Sequence, residues 1–148
     1  MMKKVALSAA AALSMGLPAT ASFAGDAAAG EAAFRGCRSC HGIVDADGTT
    51  IQRGGRSGPN LYGVAGSAVA TVEGFRYSDP IIQYAATGAT WTEEVFVSYV
   101  TDPTAHLRAA LEDDSVRSGM NYRLRSGAED MYAYLVSVAP AEATEATE

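Results

Sequence analysis

The chain of 148 residues has two cysteines, and they stand together in Cys37-Arg38-Ser39-Cys40-His41. Thiols three positions apart can each form a thioether to a haem vinyl group. The adjoining histidine is then carried beneath the iron, where an imidazole nitrogen can ligate it. A chain tethered in this way has to fold around its cofactor. The same spacing also serves a redox dithiol or half of a zinc site. Zinc takes four ligands in a tetrahedron, and outside the motif the chain offers one further histidine, His106, and no thiol. The motif favours haem, with the dithiol as its rival.

The two ends of the chain read as separate from the domain. Met1-Met2-Lys3-Lys4, the small-residue apolar run Val5 to Leu17, and Ala21-Ser22-Phe23-Ala24 have the order of a secretory signal peptide, residues 1–24, cut after Ala24. Retention as an uncleaved anchor is the alternative, but the run is short and rich in Ala and Ser for a membrane span. Export to the periplasm suits both uses of the cysteines. Without the signal, nine arginines and no lysine face seventeen acids, a formal charge of −8, which argues against non-specific nucleic-acid binding. Residues 139–148 repeat Ala, Thr and Glu around Pro140 and read as a disordered acidic tail. One domain, 25–138, remains.

Within it the composition predicts short helices and long loops. Ala27 to Arg38 reads as a helix capped by Asp26, with Ala27, Gly30 and Phe34 as a narrow packing stripe. Gly42 to Gly66 reads as loop, and Asp45-Ala46-Asp47-Gly48 as a turn rather than a calcium loop. Ser78-Asp79-Pro80 starts a short helix, and Thr92-Glu93-Glu94 opens another that Asp102-Pro103 closes. Leu107 to Leu111 adds a turn, and Ser126-Gly127-Ala128-Glu129 resembles a capping box before a last helix through Met131, Tyr132, Leu135 and Val136. No run alternates as a strand does, so the fold class is all-α. A haem would fill the centre of such a fold, where apolar burial contributes roughly 25 cal/mol per Å2. A thioredoxin-like dithiol needs a parallel sheet that is not predicted.

If His41 is one axial ligand, the other comes from Met120, Met131 or His106, since lysine leaves with the signal. Met131 falls in an amphipathic helix and reads as core. Met120 lies in the polar, Gly-containing loop Arg117-Ser118-Gly119-Met120-Asn121-Tyr122, where a lone methionine has little packing role. Met120 is favoured over His106. His/Met ligation closes both axial positions and raises the potential, as suits a one-electron carrier and not an enzyme. Without Met120 the iron would be open, and the reading would be a gas-binding protein or haem enzyme.

Taken together, these motifs resemble class I cytochrome c, most closely the larger alphaproteobacterial members, over about Gly25 to Val138. Gly30-x-x-x-Phe34 and Tyr134-Leu135 are similar to the family's crossing terminal helices, and Gly58-Pro59-Asn60-Leu61-Tyr62-Gly63 to the loop whose proline carbonyl accepts from the ligand histidine. The resemblance implies one covalent haem c, held by Cys37 and Cys40 and ligated by His41 and Met120. It further implies that Pro59 orients His41, that Tyr77 and Trp91 lie against a propionate, that Tyr99 contacts the methionine sulfur, and that Ser118 bonds a propionate. The implied partners are membrane redox complexes: a quinol-oxidising cytochrome bc complex as donor, and a terminal oxidase, photosynthetic reaction centre or periplasmic reductase as acceptor. The carrier is expected to be a monomer.

The sequence departs from the family pattern in three ways. Ser67 stands where many relatives have an arginine near the inner propionate, leaving Arg76 or Arg53 to balance that charge. The segments from His41 to Gly58 and from Tyr77 to Trp91 are longer than in mitochondrial forms. The usual lysines at the haem edge are missing, which leaves Arg38, Arg56, Arg123 and Arg125 as a reduced cationic ring or as ordinary solvated arginines.

Overall fold

A computed structural model describes residues 24–139 of the chain. The signal-peptide reading falls outside the described residues except at Ala24, and the acidic tail except at Ala139. Five α-helices follow in chain order: α1 (Ala27–Ala33), α2 (Asp79–Ala85), α3 (Glu93–Thr101), α4 (Pro103–Leu111) and α5 (Ala128–Ser137). A 3-10 turn, Phe34–Gly36, continues α1. Among the described residues no helix is long and apolar enough to cross a membrane.

Helix α1 begins at Asp26, whose extended backbone turns its carboxylate back onto the amides of Ala28 (2.8 Å) and Ala29 (3.3 Å). The Asp26 amide donates to Asp130 Oδ1 at 2.8 Å, tying the start of α1 to α5. The two helices approach so closely that a Cβ on Gly30 would collide with the Asp130 carbonyl and come within 2.8 Å of the Tyr134 Cβ. The fully buried Phe34 meets the Tyr134 ring edge-on, with centroids 6.0 Å apart. Helix α3 leans on α5 from another side through Phe96 and Tyr132, 5.5 Å apart.

Three local features differ from the sequence reading. First, a two-stranded antiparallel ribbon, β1 (Ile43–Val44) and β2 (Thr50–Gln52), lies inside the predicted loop. Its turn is the Asp45 segment, with Asp45 Oδ1 accepting from the amides of Asp47 and Thr49. The Asn60 side chain holds β1 from outside, accepting from the Val44 amide and donating to its carbonyl. Second, α4 is a full nine-residue helix and not a turn. Asp102 ends α3 in an extended conformation and at the same time caps α4, accepting from the Ala105 amide at 3.0 Å, while Pro103 fills the first helical position. Third, the capping box does not form. Gly127, left-handed at φ +75°, takes the cap position with no side-chain bond, a conformation that costs glycine little.

A cavity in the place of the cofactor

Cys37, Cys40 and His41 share one side of a helical turn that continues the 3-10 segment. The amides of Cys40 and His41 both donate to the Cys37 carbonyl, at 3.1 and 2.9 Å. Residues i, i+3 and i+4 of such a turn face the same way. All three line a cavity of about 550 Å3. Burial pushes the Cys37 thiol up, with nearby Cys40 adding to the shift, whereas hydroxyls of Ser57 and Ser39 pull the Cys40 thiol down.

The His41 ring is fixed on two sides. Its Nδ1 lies 2.8 Å from the Pro59 carbonyl. A carbonyl only accepts, so Nδ1 carries the proton and Nε2 keeps its lone pair for a metal. Against the ring lies Gly58, where a Cβ would approach Nδ1 and Nε2 to 2.6 and 2.7 Å. Burial holds the imidazole below the ordinary histidine value, partly offset by the Pro59 bond.

Of the predicted contacts, Pro59, Tyr77, Trp91, Tyr99 and Met120 also line the cavity. The Tyr77 hydroxyl accepts from the Val72 amide at 3.1 Å. Trp91 packs its ring against Tyr99 with centroids 5.0 Å apart, and its carbonyl accepts from the Tyr132 hydroxyl. Tyr99, raised in pKa by burial, places its hydroxyl 3.2 Å from Ser118 Oγ. Ser118 is not on the cavity wall; it is buried behind it, and its Oγ accepts from the Met120 amide at 3.1 Å. Arg76 reaches the wall and Arg53 does not.

The two candidates opposed in the sequence separate in space. Met120 is on the wall, while His106 sits behind Tyr99, with its ring edge-on to Tyr84 and Tyr99 and its Nδ1 2.8 Å from Ser98 Oγ. Met131, read as core, is buried and also reaches the wall from α5. Sequence reasoning missed the apolar lining of Val64, Ile81, Phe96, Val100 and Leu124.

His106 Nε2 is buried without a hydrogen-bond partner, and burial lowers the imidazole pKa. The unfolded chain binds that proton more strongly. His106 therefore contributes stability that is complete above the unfolded value of about 6.5 and is lost as pH falls below it. We expect His106→Phe to flatten the acid-side fall of the unfolding midpoint between about pH 7 and about pH 5. Denaturant titrations at both pH values check this, and parallel pH slopes in variant and parent would refute it.

The geometry defines a class: short helices around an apolar cavity, with two thiols and an oriented imidazole on one turn of its wall. That arrangement fits a covalently attached haem. No protein-family model matches the chain. It is 47% identical over 135 residues to cytochrome c2 of Rhodobacter capsulatus, covering 91% of this chain and 98% of that protein. It is 53% identical over 114 residues to cytochrome c-551 of Roseobacter denitrificans, covering 77% and 81%. The solved structure of ferric cytochrome c-550 from Paracoccus versutus superposes with a TM-score of 0.76 at 41% identity, covering 78% of this chain and 99% of that one. The chain belongs to the class I cytochromes c, with the alphaproteobacterial cytochromes c2 and c-550. It carries one covalent haem c and works as an electron carrier, not an enzyme.

Proposed function

We propose that the chain is a soluble, monomeric periplasmic carrier whose iron is ligated by His41 and Met120. We further propose that it passes single electrons from a quinol-oxidising cytochrome bc complex to a terminal oxidase, photosynthetic reaction centre or periplasmic reductase. The observation that carries the ligand assignment is that one cavity gathers His41, its Nδ1 spent on Pro59, together with a methionine from an otherwise polar loop. Haem supplies a one-electron iron couple. Cys37 and Cys40 hold it by thioethers, and the Pro59 carbonyl raises the basicity of His41. A Met120 thioether on the iron would keep water and small ligands from binding the metal. Tyr77, Trp91 and Arg76 are suited to receive the propionates, with Arg76 supplying the positive charge that Ser67 does not.

Exchange of electrons takes place at the edge near the thioethers, where Arg38 and Arg56 are exposed. Arg123 is partly committed elsewhere, 3.1 Å from Asp102. Replacing both Arg38 and Arg56 with Gln is expected to slow the second-order reaction with a cytochrome bc complex several-fold at low salt, with the rates converging as salt screens the charges. Stopped-flow rates across a salt series test this. An unchanged salt dependence would remove these arginines from the docking face, and no reaction with the complex would remove it as donor.

A further inference from the structure

Helix α4 does not line the cavity, yet it bonds repeatedly to the loop that carries Met120. Arg108 Nε donates to the Val116 carbonyl at 2.9 Å, where the loop begins. Thr104 Oγ1 accepts from the Ser118 amide at 3.1 Å, two residues before Met120. At the far end, Asp102, the cap of α4, pairs with Arg123, and the Leu124 amide donates to the Val100 carbonyl at 2.8 Å. Ser118 is the hub of this arrangement. It is a buried polar side chain whose amide goes to α4 and whose hydroxyl joins Tyr99 to the Met120 amide.

Neither α4 residue touches the wall, so neither can act on a cofactor directly. Both fix backbone groups of the loop, and a buried amide deprived of its acceptor is costly. Thr104 carries the sharper consequence, because its partner is the residue that also orients Met120. We propose that Thr104 and Arg108 are positioning residues that hold the Met120 loop closed and so set how rarely the second axial position opens. This rests on Met120 being an iron ligand.

Exogenous imidazole competes for that position in the oxidised holo protein, and its apparent affinity scales with the open fraction. Losing one partly buried hydrogen bond is expected to raise that affinity about fivefold in Thr104→Val. Thr104→Ser, which keeps the hydroxyl, should bind imidazole as the parent does, and Arg108→Gln should raise the affinity as Thr104→Val does. A purely structural role would lower the unfolding midpoint and leave imidazole affinity unchanged. That result in both Thr104→Val and Arg108→Gln overturns the clamp while the parent keeps its far-red sulfur-to-iron band. A parent without the band overturns Met120 ligation, and the clamp with it.

Discussion

Met120→Ala is expected to abolish the far-red sulfur-to-iron band, lower the reduction potential by on the order of 0.1 V or more, and let the reduced protein bind carbon monoxide promptly. A thioether favours reduced iron, so its loss stabilises the oxidised form; an alanine also leaves nothing to cover the axial position. The fold should survive, because the loop is anchored around the methionine and not by it: Ser118 is held by Thr104 and Tyr99, and Leu124 by Val100. Met131 supplies the control, since it is a second methionine on the cavity wall. Met131→Leu should keep the band and the closed iron, costing less than about 1.5 kcal/mol of stability as a volume-conserving change. The opposite pattern, with the band surviving Met120→Ala and lost in Met131→Leu, would move the ligand to α5.

Gly58→Ala is expected to disturb the other side of the iron. The added Cβ would press on the His41 ring, which has little room to yield. The His41 amide is bonded to Cys37, and Nδ1 is bonded to Pro59, the residue next to Gly58. Moving the loop away breaks the Pro59 bond, while moving the ring strains the attachment turn. Overpacking costs about 1–3 kcal/mol, and the lost hydrogen bond adds about 1 kcal/mol. The unfolding midpoint of the oxidised holo protein should fall accordingly, with the denaturant slope unchanged. An unchanged midpoint would show that Gly58 is not packed on the ring.

Much of the site was legible because its chemistry is local. Cys37, Cys40 and His41 announce themselves by spacing, and the bonds that close their turn, from the Cys40 and His41 amides to the Cys37 carbonyl, span only three and four residues. The cap at Asp26 was equally readable, since it bonds amides within three residues. Two of the misreadings turn on groups distant in sequence, or on one residue with two duties. The ribbon at Ile43–Val44 and Thr50–Gln52 is too short to show alternation, and it leans on Asn60. Asp102-Pro103 reads as a helix stop, but the same pair both ends α3 and starts α4. Ser126 and Glu129 have the capping-box spacing, but the left-handed Gly127 takes the cap. Periodicity marked Met131 as buried and could not say that a cavity lies on its other side. Nor could it choose between Arg76 and Arg53, a choice that depends on how the Ser67–Tyr77 loop closes over the cavity.

A closed iron held between His41 and Met120 is the arrangement on which the carrier function depends. An absorption spectrum of the holo protein, oxidised, then dithionite-reduced, then challenged with carbon monoxide, tests it most directly. The expected result is sharp c-type bands, the far-red band when oxidised, and no response to carbon monoxide. A haem spectrum without that band, shifting promptly with carbon monoxide, would contradict it and make the protein an open-iron member of its family.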